Sequence, residues 1–278
     1  MAKSKKKIDL KKIHVCVDRI LTGEQKLRAY ELSVKENPMN APVVPRLPGM
    51  SLHPSKMALL AGKLWRKGRT LSVGFMDGST TQRKRVIEHA SEWMRYANIR
   101  FDFSVSPSRA DIRISFEADP GSWSYVGTDS LGISKSEPTM NFGWLGDDTD
   151  DEEYRRVTQH EIGHALGCIH EHQNPKGGIK WNEEAVYAYF GGPPNNWSRE
   201  EIYGNVLQKY SLTQLNASRF DRKSIMLYSF PGEFIKGGVG TPSNTRLSVE
   251  DKRFIASRYP ARPRTLSAYP VIEMAHVH

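Results

Sequence analysis

The stretch that decides the fold is HEIGHALGCIHEHQNP, residues 160–175. It contains the pattern H-E-x-x-H-x-x-G-x-x-H, in which His160 and His164 lie one helical turn apart. On a helix both side chains project from the same face, so two imidazoles can bind one metal ion. Glu161 lies between them and can act as the general base for a water on that metal.

The second half of the pattern adds Gly167 and His170. Glycine adopts a left-handed conformation without steric cost, so we predict that the helix ends at Gly167. The chain then turns back and brings His170 to the metal as a third nitrogen ligand. Three protein ligands leave a fourth position for water, which is typical of a catalytic zinc site. A polar helix end with histidines on its surface is the alternative, and the many fixed positions of the pattern disfavour it.

Composition indicates an ordinary globular chain with an excess of positive charge. The 278 residues suffice for one large domain or two small ones with a full core. Hydrophobic residues make up 38% and charged residues 26%, and no apolar run reaches the roughly 18 residues that a membrane span needs. The formal net charge is +9, and part of it comes from lysines at positions 3, 5, 6, 7, 11 and 12. We interpret these lysines as a solvated arm rather than a nucleic-acid or membrane-surface site, because the remaining charges are spread out without interleaved aromatic residues.

The N-terminal region also bears on localisation. Charges interrupt IDLKKIHVCVDRI (8–20), so this region lacks the apolar segment of a secretory signal peptide. With two cysteines, Cys16 and Cys168, the fold does not depend on an oxidising compartment. We expect a protein that stays in the cytoplasm or leaves by a route that reads no cleavable signal.

Hydrophobic patterns predict an α+β fold with a mixed sheet covered by helices. We predict strands at 70–78, 99–105, 111–118 and 138–145, with a loop or short strand at 122–128. We predict helices at 23–37, at 80–97 after a threonine cap, as a pair within 181–211, and at 247–260 from a cap near Ser248. The acidic run DDTDDEE (147–153) precedes the histidine motif, where carboxylates help to start a helix. A calcium site is the less favoured interpretation of this run, because EF-hand spacing is absent.

A downstream segment connects the histidine motif to a known family. SIMLY (224–228) places Met226 in a predicted tight turn, with Tyr228 two residues later. With the histidine motif, this resembles the metzincin metalloproteases. The pair His170-Glu171 and the SIMLY segment narrow the resemblance to the astacin-like peptidases of the bacterial and fungal type, over roughly residues 60–260.

The resemblance implies a two-lobed zinc protease with a cleft between the lobes. The N-terminal lobe would hold a mixed twisted sheet and the active-site helix, and the C-terminal lobe would be mostly irregular or helical. One catalytic zinc ion would be bound by His160, His164, His170 and Tyr228, with Tyr228 as a detachable fifth ligand and Met226 beneath the site. Ordinary core packing is the alternative for Tyr228.

The implied activity is a zinc metalloendopeptidase that hydrolyses peptide bonds. Glu161 would take the proton of the attacking water and pass it to the leaving amine. Tyr228 would donate its O–H to the oxyanion, a contact typically worth ~3–4 kcal/mol of barrier. The substrate would lie extended along an exposed sheet edge, for which residues 138–145 are the candidate.

The chain also departs from the animal astacins. Their disulfide cysteines are missing, and Leu227 replaces the usual histidine of their methionine turn. The family glutamate binds the mature N-terminus in those enzymes; here we expect Glu171 to hold another basic or amide group. No F-x-G-D latency motif is evident.

We predict three regions and several minor roles. Residues 1–58 would be a basic, partly irregular extension, 59–262 the astacin-like catalytic domain with a lobe boundary near 170, and 263–278 a tail. Cys16 is either a packing residue or a thiolate ligand that holds the enzyme latent. Cys168 is expected to be a small buried hydrophobic residue, and His172 a surface or supporting residue that points away from the metal.

Alternative functions remain open from the sequence. They are a catalytically weak, metal-binding recognition module, a toxin-like effector protease with a narrow protein substrate, and a nucleic-acid partner with an incidental zinc site. The intact Glu161 argues against a recognition module, which has no use for a general base. We expect a monomer that acts on proteins or peptides.

Overall fold

The structure is a computed structural model that describes residues 16, 19, 21–42, 62–119, 121–193, 195–210 and 219–261. The lysine-rich arm, the predicted boundary near residue 58 and the predicted tail lie outside these ranges. Within them, no helix combines the length and apolar character that crossing a membrane requires.

Short strands and helices precede the histidine motif, and helices dominate after it. The strands are β1 (Thr70–Phe75), β2 (Arg100–Asp102), β3 (Ile112–Ser115), β4 (Trp123–Ser124) and β5 (Met140–Asn141). The helices are α1 (Gly23–Glu36), α2 (Thr80–Ala90), α3 (Asp151–Ala165), α4 (Glu183–Phe190), α5 (Arg199–Ile202) and α6 (Val249–Arg258). The predicted elements are present, and the α+β class is confirmed.

The five strands form one mixed sheet in the order β2-β1-β3-β5-β4. All neighbouring pairs are parallel except β4 and β5, which are antiparallel. The prediction that residues 138–145 form the exposed edge is therefore wrong, because β5 is hydrogen-bonded to β3 on one side and to β4 on the other. An alternating pattern predicts a strand but not the strands that pair with it. Here residues 123–124 pair with the side of β5 that would otherwise be the edge.

Polar side chains cap the helices, largely as predicted. Ser248 begins α6 and forms a capping box with Asp251, as expected. Asp150, from the acidic run, caps α3 by accepting a backbone N–H of its first turn. The cap of α2 is Ser79 with Gln82 and not a threonine, so that detail of the prediction was wrong.

Helix α1 packs through small residues against a 3₁₀ turn, Gly127–Gly132. A Cβ atom on Gly132 would lie 2.9 Å from the Cβ of Ala29, so glycine allows the two backbones to approach. Ala29 and Ser33 are the buried residues of the helix. The larger residues of the predicted apolar face are only half-buried: Leu27, Tyr30 and Leu32.

Buried polar groups join the end of α1 to the segment that follows residue 61. The Ser33 hydroxyl donates to the carbonyl of Gly62 at 3.0 Å and accepts from the Thr128 hydroxyl at 2.7 Å. The Asn40 amide donates to the Ser33 Oγ at 2.8 Å, and its Oδ1 accepts the Leu64 N–H at 3.1 Å. These hydrogen bonds satisfy groups that would be costly to bury unpaired.

Two large hydrophobic clusters lie among the described residues, and both include residues from either side of the predicted lobe boundary near 170. The first joins the sheet, α2, α3 and α6 and includes Trp65, Val73, Val86, Trp93, Ile112, Tyr154 and Ile162. The second lies mostly in the C-terminal part and includes Trp181, Val186, Phe190, Ile202, Phe230 and Phe234. Helix α3 belongs to the first cluster, so the histidine motif is carried by a well-packed element.

The C-terminal end of α3 is held by side chains distant in sequence. The last carbonyls of a helix have no partner within it. Here the Trp65 indole N–H donates to the Ala165 carbonyl at 2.7 Å, and the Tyr259 hydroxyl donates to the Leu166 carbonyl at 2.8 Å. The same hydroxyl accepts the Trp65 backbone N–H at 3.2 Å. The point at which the helix stops is thereby fixed.

We predict that Tyr259→Phe lowers the free energy of unfolding by about 1–3 kcal/mol, because it leaves buried backbone groups of Trp65 and Leu166 without a partner. Urea unfolding of the zinc-loaded protein measures the change. Tyr96→Phe is the control: its hydroxyl donates to Glu92 at 3.3 Å within one surface turn, so its effect should stay within about 0.5 kcal/mol. Equal losses for both variants would contradict the role of Tyr259.

Candidate metal centre

Helix α3 places the first two histidines and the glutamate of the motif in a buried site. His160 and His164 are each 2% exposed, and Glu161 is fully buried. The two Nε2 atoms lie 3.1 Å apart, so both rings face the same point. The predicted shared face is therefore present.

The third histidine reaches the same point because the helix ends where predicted. Gly167 has a φ of 93°, in the left-handed region. Its N–H donates to the His164 carbonyl at 2.8 Å, and the Cys168 N–H donates to the Gly163 carbonyl at 2.9 Å. The chain then reverses, and the His170 Nε2 lies 2.9 Å from that of His164.

The hydrogen bonds of the rings show that this donor set suits a cation. The His160 Nδ1 lies 2.8 Å from the Ile225 carbonyl, and the His164 Nδ1 lies 2.9 Å from the Cys168 carbonyl. A carbonyl oxygen only accepts, so each Nδ1 carries the hydrogen and each Nε2 keeps its lone pair. Lone pairs facing one another repel unless a cation lies between them, and zinc with imidazole ligands at about 2.0–2.1 Å fits.

Burial keeps the His160 imidazole in the form that binds metal. Burial lowers the pKa of His160 well below its usual value, and the neighbouring His164 and His170 lower it further. The neutral ring is the ligand form, because a protonated nitrogen has no lone pair to give.

Met226 packs directly against the motif. A Cβ atom on Gly163 would lie 2.5 Å from the Met226 sulfur, so only glycine lets the thioether pass beneath the helix. The Met226 carbonyl also accepts the Glu171 N–H at 2.9 Å. The methionine turn therefore supports the motif on both sides of Gly167.

The Tyr228 hydroxyl lies at the histidine cluster. Its oxygen lies next to the His170 Nε2, and the two ring centres are 4.3 Å apart. It also donates to the Cys16 carbonyl at 2.5 Å. The tyrosine lies where the resemblance implies a detachable ligand, although it also packs in the second hydrophobic cluster.

Cys16 packs as a buried member of the second hydrophobic cluster and also lies at the site. Its sulfur, one nitrogen of His160 and one oxygen of Glu161 all lie within 4.8 Å of one another. Burial and the Glu161 carboxylate raise the pKa of the thiol well above its usual value; a bound divalent cation has the opposite effect. Cys168 is a buried member of the first cluster, as predicted.

His172 is buried, so the surface role that was one of its two predicted roles is wrong. Its Nε2 lies 3.0 Å from the Asn205 carbonyl oxygen. The centre of its ring lies 5.1 Å from the ring centre of His170 and 4.7 Å from that of Tyr228. Asn205 belongs to a π-helical turn, Tyr203–Leu207. A carbonyl on a distant turn leaves no signal in the sequence around His172.

Glu171 holds amide groups, as expected. Its Oε1 accepts the Asp221 N–H at 2.8 Å and the Asn174 side-chain amide at 3.0 Å. Burial raises the pKa of Glu171 to about 7. Glu171 thereby ties the residue after His170 to the segment that leads into the methionine turn.

Arg156 is a residue near the site that sequence analysis did not identify. It lies one turn before His160 on the same face of α3 and forms a two-pronged ion pair with Glu153 at 2.6 and 2.7 Å. Its charge acts on the Cys16 thiol and on His160. The spacing of four residues from His160 was the available signal.

We predict that His170→Asn no longer retains one zinc per chain. Its zinc affinity should fall on the order of 100-fold or more, because one of the three histidine ligands is lost. His172→Asn is the matched control and should retain one zinc per chain. Metal analysis after dialysis against a weak chelator makes the comparison. Loss of zinc in both variants, with both folded, would contradict the assignment of ligands.

Comparisons with known proteins agree with this geometry. The family model for the astacin peptidases matches residues 60–178. A solved structure of myroilysin has 43% sequence identity to this chain and a TM-score of 0.70. The match covers 72% of this chain and 97% of the myroilysin chain. A second structure, a crystal structure of myroilysin, has 34% sequence identity to this chain and a TM-score of 0.57. The match covers 89% of this chain and 100% of that chain. No curated protein sequence matches significantly. The chain belongs to the astacin family of peptidases and is a zinc-dependent endopeptidase.

Proposed function

We propose that Glu161 is the general base and acid of peptide hydrolysis and that His160, His164 and His170 hold the zinc. The observation that carries this proposal is the convergence of three Nε2 atoms, 2.9 and 3.1 Å apart, beside a fully buried glutamate on the same helix. A glutamate beside two of the ligands lies where a general base for a zinc-bound water is needed.

The residues divide the chemistry between them. Zinc supplies a Lewis acid that lowers the pKa of water to about 7 and polarises the substrate carbonyl. Glu161 takes the proton of the attacking water and transfers it to the leaving amine. Tyr228, whose hydroxyl lies beside His170, donates a hydrogen bond to the oxyanion. Burial strengthens both contacts, because the local dielectric constant is low.

The substrate peptide would bind along β4. This strand is one of the two outer strands of the sheet, and no further strand pairs with it among the described residues. An unpaired edge binds an extended peptide through backbone hydrogen bonds. Of the two outer strands, β4 is favoured because it contacts the catalytic helix α3.

Residues near the N-terminus occupy this same region, and we infer that they keep the enzyme latent. The Cys16 sulfur lies at Glu161 and His160, and the Cys16 carbonyl accepts from the Tyr228 hydroxyl. The Arg19 guanidinium stacks over the Trp123 ring at 4.3 Å. A thiolate is a strong zinc ligand. One short segment thus engages the metal site, the oxyanion donor and the substrate edge together.

We predict that Cys16→Ser raises the activity of the full-length protein, because serine is a much weaker zinc ligand than a thiolate and the fourth position becomes available to water. Hydrolysis of casein or gelatin by the purified protein measures the change. Cys168→Ser is the control and should leave activity unchanged, because that thiol is packed in the first cluster. Unchanged activity in Cys16→Ser would remove the proposed latency.

We predict that Glu161→Gln and Tyr228→Phe, made in the Cys16→Ser background, lower kcat by ~10²–10⁴-fold and ~10²–10³-fold. Both variants should retain one zinc per chain, since three imidazoles remain. A chelator should abolish the activity of the parent protein, and added zinc should restore it. If the Cys16→Ser parent binds zinc but cuts no peptide, the protein would be a recognition module instead.

A further inference from the structure

The turn that carries Met226 contacts the beginning, the middle and the end of the segment from His160 to Glu171. The Ile225 carbonyl accepts from the His160 Nδ1 at 2.8 Å. The Met226 sulfur packs beneath Gly163, and its carbonyl accepts the N–H of Glu171, the neighbour of His170. A shift of this turn would therefore reorient the rings, because hydrogen bonds behind a metal-binding histidine set its orientation and basicity.

A single carboxylate from the C-terminal helix holds this turn. The Asp251 Oδ1 accepts from the Ser224 hydroxyl at 2.6 Å, and its Oδ2 accepts the Ile225 N–H at 2.8 Å. The Ser224 Oγ in turn accepts the Met226 N–H at 3.1 Å. Asp251 is 8% exposed, so these are hydrogen bonds to a largely desolvated acceptor.

We propose that Asp251 is a positioning residue for the zinc site. Ile225 links the two groups directly: its N–H is held by Asp251, and its carbonyl holds the His160 ring. The peptide units on either side of one residue thus connect a carboxylate on α6 to a metal ligand on α3. Asp251 thus acts on the metal site through Ile225 and His160, and it touches neither substrate nor zinc.

Asp251 has a second, purely structural task that must be separated from this one. As the third residue of the capping box, it helps to start α6 together with Ser248. The Ser248 hydroxyl accepts the Asp251 N–H at 2.9 Å and, among the described residues, forms no hydrogen bond with the turn. Ser248→Ala therefore removes part of the cap and leaves the hydrogen bonds between Asp251 and the turn in place.

The test compares Asp251→Ala, Asp251→Asn and Ser248→Ala in the Cys16→Ser background. The first readout is zinc affinity, measured by competition with a chromophoric chelator; the second is kcat and KM for a peptide. Asp251→Ala should lose about 10–100-fold in both zinc affinity and kcat, with KM changed by less than a few-fold. Asp251→Asn keeps one acceptor oxygen and should recover part of the loss.

Ser248→Ala should lower the melting temperature but leave zinc affinity and kcat at the parent values. The proposal is overturned if Asp251→Ala keeps the parent zinc affinity, or if Ser248→Ala loses as much affinity as Asp251→Ala. Should Asp251→Ala fail to fold, Asp251→Asn and Ser224→Ala decide the matter by the same zinc titration. The inference rests on His160 as a ligand, but the titration needs no hydrolysis, so a wrong role for Glu161 would leave its outcome unchanged.

Discussion

The structure depends on one constraint: three imidazoles must direct their Nε2 atoms at a single buried point. Burial alone would leave these nitrogens opposed, and the fold holds them there by fixing the other side of the rings. Backbone carbonyls at Ile225 and Cys168 accept from His160 and His164, so the orientation of each ring is set by a segment outside its own helical turn. The active-site helix sets the distance between His160 and His164, and the surrounding loops set the orientation of their rings.

The site was more predictable than its surroundings, for a physical reason. The helix, its end at Gly167 and the approach of His170 follow from local rules, in which spacing and backbone freedom act within a few residues. The outer strand could not be predicted, because pairing between strands depends on contacts far apart in sequence. The burial of His172 depends on a carbonyl of Asn205, and the place of Cys16 depends on its contacts with Glu161 and Tyr228, which are far away in sequence. Each of these is a meeting of distant segments.

The proposed substrate site and the proposed latency involve the same groups. These groups are the edge strand, the Tyr228 hydroxyl and the metal position, and they are contacted by Cys16 and Arg19. Under these two proposals, a peptide can bind only after Cys16 and Arg19 have left the site. Helix α1 is different: its buried polar contacts with the segment after residue 61 are those of a built-in element of the fold.

The clamp at the end of the active-site helix sets a limit on how far the chain can be shortened. Trp65 binds the Ala165 carbonyl and Tyr259 binds the Leu166 carbonyl, so the two ends of the described catalytic region meet at one helical turn. A maturation cut placed after Trp65, or trimming back beyond Tyr259, would release the very turn from which His170 departs. The shortest chain that keeps both hydrogen bonds to the end of the active-site helix therefore runs from Trp65 to Tyr259.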